Sequence, residues 1–327
     1  GMSQKPFPIL IITATRIGDA VLSSGLIKKL YDEIPNAEFT IVVGPVAAPL
    51  FRDVPQVKEV IALVKQRNGG HWIKLWQKVR HRHWGLVLDG RGSAISRFIK
   101  TERRAVYKKT ALIEHKVIEA ARLLRLEADP PAPYLFISPE TEALAARMVG
   151  QGGPILAMGA AANWIGKTWP TERFAQAALR LLGPEGPMPT GRLLILGGPD
   201  DWPAAEVLRR TLPRDRWVDL TGKADLLTIY AALKHARMFI GNDSGLMHLA
   251  AAAGIPTLGL FGPSDERLYG PWGADCRIVR GGRTFEGLKQ IDPDLSQAVC
   301  HMLDLPVAKV VAAACRLFDE TANRSLP

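Results

Sequence analysis

The chain has 327 residues, of which 47% are hydrophobic and 23% charged, and its formal net charge is +10. That is enough for two globular domains of ordinary size, and no apolar run approaches the roughly 18 residues of a membrane span. We also expect no signal peptide. Three cysteines, Cys276, Cys300 and Cys315, are too scattered for a metal cluster and too odd in number for a disulfide framework. A reducing cytoplasm is therefore the expected compartment.

The first half of the chain alternates predicted strands and helices. The predicted strands cover residues 7–13, 39–43, 57–64, 85–88 and 105–107. The predicted helices are one that runs from the loop at residues 14–20 to about residue 30, and those at residues 72–79 and 115–126. A Pro-rich segment at residues 129–133 follows. The alternation predicts a parallel sheet that is covered on both faces, in a first domain at residues 1–138.

The second half repeats the pattern in a predicted domain at residues 139–327, with packing of its last helix back on the first domain as an open alternative. Its predicted strands cover residues 154–159, 192–196, 217–220, 238–240, 257–261 and 276–279. Its predicted helices cover residues 140–149, 171–182 with Thr171 as a cap, a stretch ending at 212, and 226–235, 246–253 and 307–318. The α/β class with two Rossmann-like, doubly wound domains follows. Such domains are expected to bind ligand in the cleft between them, at the carboxyl ends of strands.

The most informative stretch is the turn between the strand at 238–240 and the helix that follows it. Asp243 or Ser244 can cap that helix, Gly245 follows, and His248 rises one turn along the face of Ser244. Free backbone N–H groups and the positive end of the helix dipole favour a phosphate there. The alternative is an ordinary capped helix with a packed histidine.

Two further loops carry residues of the same chemistry. Arg16, Gly18 and Asp19 follow the first predicted strand, and Gly18 would let a substrate approach the backbone closely. Lys167 lies in a polar loop at residues 162–170 and offers a mobile positive charge to a phosphate oxygen. A solvated lysine and a helix-start aspartate are the simpler interpretations.

Positive charge is concentrated in the first half of the chain. Thirteen Lys and Arg residues lie between Lys65 and Lys109, against only Asp89 and Glu102. Such a surface favours anionic partners, namely nucleic acid, acidic lipid or a phosphorylated substrate, unless it is merely solvated. Few aromatic residues are interleaved with the basic run and no nucleic-acid motif is present, so we do not expect a nucleic-acid partner.

Several common motifs are absent from the sequence. There is no P-loop and no G-x-G-x-x-G after the first strand, which argues against a usual dinucleotide dehydrogenase. The D-x-D spacing at residues 292–294 is interpreted as a turn, and no structural zinc pattern is present.

Three motifs, in this order along the chain, resemble the glycosyltransferase family of ADP-heptose:lipopolysaccharide heptosyltransferases (family 9). They are Arg16-Ile17-Gly18-Asp19, Lys167-Thr168-Trp169-Pro170, and the Gly241–His248 segment with Phe261-Gly262-Pro263 after it. The resemblance implies a GT-B fold, a nucleotide-sugar donor bound mainly by the second domain, and an inverting transfer that needs no metal or other cofactor. It implies an anionic glycolipid as acceptor.

The resemblance also implies roles for single residues. Asp19 matches the proposed general base, and Lys167 the lysine on the donor phosphates. Asp243 matches the acid on the donor sugar, Ser244 and Gly245 the amides on the diphosphate, and His248 the histidine beside them. Asp201 is the candidate acid at the nucleoside, with Asp200 and Glu206 as competitors. The remaining assignments are Gly18 to the donor side and Arg16 and Arg91 to the acceptor side.

Sequence alone leaves other functions open. The alternatives are a GT-B transferase that uses another nucleotide-sugar and a non-catalytic module that binds one, although the presence of Asp19 weakens the second. The expected location is the cytoplasm, with peripheral contact at the cytoplasmic face of the inner membrane as an open alternative. The nucleotide base, the donor sugar and the acceptor are not fixed by these residues.

Overall fold

A computed structural model describes residues 5–161, 167–292 and 300–323, and the polypeptide divides into two compact units, residues 1–138 and 139–327. Each unit is built on a parallel β-sheet whose strands alternate with helices. Among the described residues, none of the helices is long and apolar enough to cross a membrane.

The first unit contains the elements from β1 to α4. Its strands are β1 (Phe7–Ile12), β2 (Ala37–Val43), β3 (Val57–Ala62), β4 (Trp84–Asp89) and β5 (Thr101–Val106). Its α-helices are α1 (Ile17–Ser23), α2 (Gly25–Glu33), α3 (Gly70–Val79) and α4 (Lys116–Ala121). Within the described residues the sheet order is β3-β2-β1-β4-β5, and every pair is parallel.

The second unit contains the elements from α5 to α12. Its strands are β6 (Ile155–Gly159), β7 (Arg192–Leu196), β8 (Trp217–Asp219), β9 (Met238–Asn242), β10 (Thr257–Phe261) and β11 (Cys276–Arg280). Its α-helices are α5 (Pro139–Val149), α6 (Thr171–Leu182), α7 (Trp202–Arg209), α8 (Leu226–Leu233), α9 (Gly245–Ala252), α10 (Glu266–Tyr269), α11 (Phe285–Ile291) and α12 (Val307–Glu320). Helix α12 packs against α6, β10 and β11 of the same unit.

Both sheets share one topology. The second sheet has the order β11-β10-β9-β6-β7-β8, again with parallel pairs throughout its described strands. In each unit the first three strands are laid down to one side, and the chain then crosses back to the other side of the first strand. This is the Rossmann order, whose switch point lies between β1 and β4 in one unit and between β6 and β9 in the other.

The central strands of both sheets read as continuous apolar runs because both of their faces are covered. Residues 9–12 of β1 and all of β4, β6, β7, β9 and β10 are buried. In contrast, the edge strands β3 and β5 are largely exposed or half-buried. Burial of the apolar side chains at about 25 cal/mol per Å² is the main force that holds each sheet to its helices.

Three glycines lie side by side across the middle of the second sheet. Gly241 of β9 pairs with Gly159 of β6 and with Gly259 of β10. A Cβ at Gly259 would lie 2.6 Å from Met247 Sδ, and one at Gly159 would lie 3.3 Å from Leu246 Cδ1. Both neighbours belong to α9, so the glycine row lets the start of this helix pack directly on the sheet.

The structure corrects the predicted helix that ended near residue 30. It is broken at Ser24 into α1 and α2. The Ser24 hydroxyl donates to the Val21 carbonyl and accepts from the Tyr134 N–H at 3.0 Å. A Cβ at Gly25 would lie 2.4 Å from the Ala132 carbonyl oxygen, so the break brings α2 against the Pro-rich segment. Helical periodicity could not reveal this contact because it is long-range.

Other differences are smaller. Pro170, not Thr171, occupies the N-cap position of α6. The predicted helix at residues 115–126 is α4 followed by a 3₁₀ turn at Arg122–Leu124. Helices α10 and α11 were not predicted, because both are short and lack a clear apolar period. In the predicted turn at residues 292–294, Asp292 is buried against His301 with 3.2 Å between the carboxylate and the ring, while positions 293 and 294 lie outside the described residues.

Replacement of Gly241 by alanine should destabilise the second unit. The new Cβ would lie 2.5 Å from Cζ of the fully buried Phe239 and 3.0 Å from the Gly159 carbonyl oxygen. We expect a loss of about 1–3 kcal/mol in the free energy of unfolding, the usual cost of overpacking. Urea denaturation measures it, with Gly282→Ala as the control because nothing lies within 4 Å of a Cβ there. Equal midpoints for the two variants would contradict the close-packing argument.

Candidate functional site

Most of the residues singled out in the sequence lie where each Rossmann sheet switches direction. In the first unit, Asp19 follows β1 and Arg91 follows β4, and Ile12 and Asp89 at the ends of those strands are paired. In the second unit, Lys167 follows β6 and Asp243 follows β9. Loops at such a switch point diverge from the sheet and leave a crevice, which is where open α/β sheets bind ligands.

A buried amide fixes the two loops of the second unit to each other. Asn242, the last residue of β9, is fully buried. Its Nδ2 donates to the Ala160 carbonyl at 3.0 Å, and its Oδ1 accepts from the Trp169 N–H at 3.0 Å. The end of β9 is thereby joined to the segments on both sides of the loop that follows β6. This role was not predicted from the sequence, although a polar residue at the end of an apolar strand was a signal.

The segment after Lys167 is held from a second direction. The Trp169 indole N–H donates to the Leu305 carbonyl at 2.9 Å, and the indole is fully buried. The Cys300 thiol donates to the Thr168 carbonyl at 3.2 Å. Residues 162–166 of the predicted polar loop lie outside the described residues. From residue 167 onward, however, the loop is anchored to the protein interior.

Lys167 and Asp243 form an ion pair. Lys167 Nζ lies 3.3 Å from Asp243 Oδ2, and the side chains are 33% and 7% exposed. The Asp243 N–H donates to the Leu260 carbonyl at 3.2 Å, which orients the backbone at the end of β9. The lysine side chain is therefore partly exposed while the aspartate carboxylate is buried, so that an anion can approach the lysine from solvent.

The start of α9 lies beside this pair. Ser244 occupies the N-cap position with an extended backbone, but its side chain makes no capping hydrogen bond. The predicted cap by the Asp243 or Ser244 side chain is therefore wrong, since Asp243 faces Lys167 instead. The Ser244 hydroxyl is buried and has no hydrogen-bond partner within the described part of the chain. First-turn N–H groups of a helix together with its dipole favour an anion.

His248 lies one turn into α9, as predicted. The N–H of His248 donates to the Ser244 carbonyl at 3.4 Å, the side chain is 3% exposed, and its ring centroid lies 6.5 Å from that of Tyr269 in α10. Gly245 is the first residue of the helix. The predicted group of Asp243, Ser244, Gly245 and His248 is therefore one continuous strand-to-helix turn.

Arg280 was not anticipated from the sequence. This mostly buried side chain at the end of β11 donates to the carbonyls of Gly262 and Ser264 and to the Glu266 carboxylate. These contacts shape the loop after β10, which contains the Phe-Gly-Pro motif. In the sequence, Arg280 is only an arginine at the end of a predicted strand. Its role becomes recognisable once the strand order places this strand next to β10.

Asp201 closes the turn after β7, the strand next to β6. Its Oδ2 accepts from the Gly198 N–H at 2.7 Å, and its own N–H donates to the Gly198 carbonyl at 3.1 Å. The carboxylate thus has a local structural role, and its predicted contact with the donor nucleoside stays a prediction. Asp200 and Glu206 belong to the same turn and helix, with Glu206 paired to Arg210.

In the first unit, the loop after β1 leads directly into α1. Arg16 is exposed at the N-cap position, and Gly18 and Asp19 lie in the first helical turn, half-buried. A carboxylate in the first turn is stabilised by the helix dipole. The first-turn position keeps the Asp19 carboxylate at the carboxyl edge of the sheet.

Arg91 connects the loop after β1 to the end of β4. Its Nε donates to the Thr13 carbonyl at 2.6 Å, and its guanidinium lies 5.5 Å from the Trp72 ring centroid. Its N–H donates to Asp89, whose carboxylate also accepts from the Ser93 hydroxyl at 2.6 Å. Burial lowers the pKa of the Arg91 guanidinium below its ordinary value, with Asp89 opposing the shift. Arg91 therefore supports the segment that carries Asp19.

The second-unit geometry suits an anionic ligand. A partly exposed lysine and a helix start without a side-chain cap are set next to each other by a buried amide network. Within the described residues, no three or more His, Cys, Asp or Glu side chains are grouped so that they could hold a metal ion.

Comparison with known proteins shows which family this chain resembles. A family model described as glycosyltransferase family 9 (heptosyltransferase) matches residues 73–292. Lipooligosaccharide heptosyltransferase 2 of Haemophilus influenzae is 25% identical over 312 residues, which covers 83% of this chain and 88% of that protein.

Solved structures of the same kind share the fold. A family 9 glycosyl transferase from Veillonella parvula matches with a TM-score of 0.79 at 18% identity, covering 98% of this chain and 100% of that chain. ADP-heptose LPS heptosyltransferase II of Escherichia coli matches with a TM-score of 0.74 at 20% identity, covering 96% and 99%. The iron-containing dodecameric glycosyltransferase TibC of enterotoxigenic E. coli matches at 0.54 and 16%, covering 98% and 78%.

The predicted fold class is confirmed by these structures, which have the GT-B fold with two Rossmann-like domains. The family model spans more than half of the chain and includes both Lys167 and the Asp243–His248 turn. The chain therefore belongs to glycosyltransferase family 9, the heptosyltransferase family.

Proposed function

We propose that this protein transfers heptose from ADP-heptose to a lipopolysaccharide core or a related glycolipid acceptor, by an inverting mechanism that needs no metal ion. The observation that carries the proposal is the partly exposed Lys167 side chain, whose ammonium is held 3.3 Å from the buried Asp243 carboxylate, next to the start of α9. Family membership and the names of the relatives, which are heptosyltransferases, support this donor.

On the donor side, the diphosphate binds at the start of α9. Lys167 and the N–H groups of Ser244 and Gly245 contact its oxygens, because an ammonium and helix-start amides are suited to phosphate. Asp243 and His248 orient the sugar and the phosphate next to it. Asp201, on the neighbouring turn, contacts the nucleoside.

In the transfer step, an acceptor hydroxyl oxygen attacks the anomeric carbon of heptose from the face opposite the diphosphate. The new glycosidic bond forms as the carbon–oxygen bond to phosphate breaks, and its electron pair leaves with ADP. Asp19 takes the hydroxyl proton as general base. Attack from the opposite face inverts the configuration at that carbon. Arg16, exposed at the N-cap of α1, contacts the anionic acceptor, and Arg91 supports the loop.

Negative charge grows on the diphosphate as it leaves. Donors that are already positioned toward that charge lower the barrier, because they need no reorganisation during the reaction. Lys167 and the α9 amides supply such donors in the place of a metal ion. The buried Asn242 network keeps the segment after Lys167 in position for this role.

The donor assignment is tested by calorimetric titration of the full chain with ADP, UDP and GDP, with and without EDTA. ADP should bind at least about tenfold more tightly than the other nucleotides, and EDTA should leave its affinity unchanged. A preference for UDP or GDP would move the function to another nucleotide-sugar. Loss of ADP binding in EDTA would contradict the metal-independent mechanism.

Asp19→Asn should remove turnover and spare donor binding. General-base catalysis contributes about 10²–10⁴-fold, and the amide cannot accept the proton. We expect kcat to fall at least about 100-fold while the calorimetric affinity for ADP stays within about twofold. Asp32→Asn is the matched control, since that carboxylate lies on the surface of α2 and pairs with Lys28. A parallel loss of ADP affinity in Asp19→Asn would assign Asp19 to the donor site instead.

Lys167→Ala should weaken ADP binding and slow transfer. A hydrogen bond to a charged group contributes about 1.5–3 kcal/mol, so the Kd for ADP should rise about 10- to 100-fold. Lys309→Ala, an exposed lysine on α12, is the control. If both variants bind ADP like the unmodified chain, Lys167 is only the ion-pair partner of Asp243.

A further inference from the structure

An exposed amphipathic loop follows β5 in the first unit. All six residues from 108 to 113, Lys-Lys-Thr-Ala-Leu-Ile, are exposed, with Leu112 at 57% and Ile113 at 65%. Two adjacent large aliphatic side chains in water next to two ammonium groups are not needed for packing. Exposed apolar side chains grouped in this way mark an interaction surface.

A cavity of about 420 Å³ lies beside this loop. It is open to solvent on one side and is lined by residues of β5, the loop itself, α4 and the turn after α4. Its lining includes Arg103, Tyr107, Lys108, Thr110 and Arg125. The cavity therefore shares Lys108 and Thr110 with the amphipathic loop.

The cavity has an excess of positive charge. Its two carboxylates are neutralised locally: Arg122 donates to both Glu114 oxygens at 2.7 and 2.9 Å, and Lys116 lies 3.4 Å from Glu119. The hydrogen bonds from Arg122 lower the pKa of Glu114. This carboxylate is therefore ionised, and both of its oxygens already accept hydrogen bonds from Arg122.

Three other cations of the lining are not neutralised. Within the described residues, Arg103, Lys108 and Arg125 form no ion pair, whereas Arg104 donates to the carbonyls of Ser96 and Ile99. Unpaired guanidinium and ammonium groups around a cavity of this volume fit a phosphate group with part of the molecule attached to it.

Exposed apolar and cationic side chains also lie near the carboxyl ends of other strands in this sheet. Val46 follows β2, Val64 follows β3 and Ile73 lies in the first turn of α3, and these side chains are 66%, 59% and 56% exposed. Exposed cations accompany them at Lys65, Arg67 and Lys74. Strands β3 and β5 are the two outermost strands of this five-stranded sheet. The apolar and cationic residues therefore extend across the full width of the sheet, which is roughly 19 Å at about 4.8 Å between neighbouring strands.

We propose that the first unit docks on an anionic membrane surface through the carboxyl edge of its sheet, with Leu112 and Ile113 in the interface and a lipid phosphate in the cavity between β5 and α4. An extended anionic layer with an apolar interior matches both the charge and the width of this edge, which one soluble phosphate compound does not cover. The proposal adds a partner to the proposed function, and its test uses no turnover, so each can fail separately.

The test is co-sedimentation of the full chain with phosphatidylcholine vesicles that contain or lack phosphatidylglycerol. The chain should bind only the vesicles with phosphatidylglycerol, and added salt should weaken binding. The double variant Leu112→Ser/Ile113→Ser should lower the partition coefficient at least about tenfold. Arg103→Gln/Lys108→Gln should lower it about fivefold for each charge removed.

The matched control is Leu179→Ser/Lys309→Gln, which removes one exposed aliphatic side chain and one exposed charge from the second unit and should bind vesicles normally. ADP titration of each variant checks that the second unit is intact. Absence of binding to phosphatidylglycerol vesicles, or an equal loss in the control, overturns the proposal. Calorimetric binding of inorganic phosphate that Arg103→Gln/Lys108→Gln abolishes, without vesicle binding, would assign the cavity to a soluble phosphate compound and also overturn it.

Discussion

The second unit depends on a single buried amide. Asn242 joins the Ala160 carbonyl and the Trp169 N–H at the point where the Rossmann sheet switches direction. Its loss would leave two backbone groups unpaired in the interior, at about 1–3 kcal/mol each. Because the segment bearing Lys167 is attached there, the same two hydrogen bonds set where the ammonium meets the Asp243 carboxylate. The same hydrogen bonds therefore stabilise the fold and fix the position of the lysine ammonium group.

The row of three glycines in the second sheet also helps to fix the start of α9. Gly159, Gly241 and Gly259 remove side chains from the sheet where α9 begins, so that Leu246 and Met247 pack directly on the strands. The helix start is thereby fixed close to the switch point. A phosphate bound there would meet backbone N–H groups whose positions cost nothing to organise during the reaction, which is the condition for effective electrostatic stabilisation.

The two units share a topology but differ in the chemistry of their sheet edges. The second unit presents one partly exposed lysine beside a helix start, next to a buried carboxylate. The first unit presents Asp19 and Arg16 among exposed cations and aliphatic side chains. The residues of the second unit suit a compact diphosphate, and those of the first unit suit a large amphiphilic anion. This difference agrees with the proposed transfer from a nucleotide-sugar to a glycolipid.

The sequence by itself determined the strand–helix alternation, the fold class and the strand-to-helix turn at Asp243–His248, because apolar periodicity and turn chemistry are local properties. Most element ends were also predictable within a few residues. Only the tertiary structure decided the break at Ser24, the Lys167–Asp243 ion pair, and the roles of Asn242 and Arg280. Each of these depends on which distant segment lies opposite, and that follows from strand order and register, which local patterns do not encode.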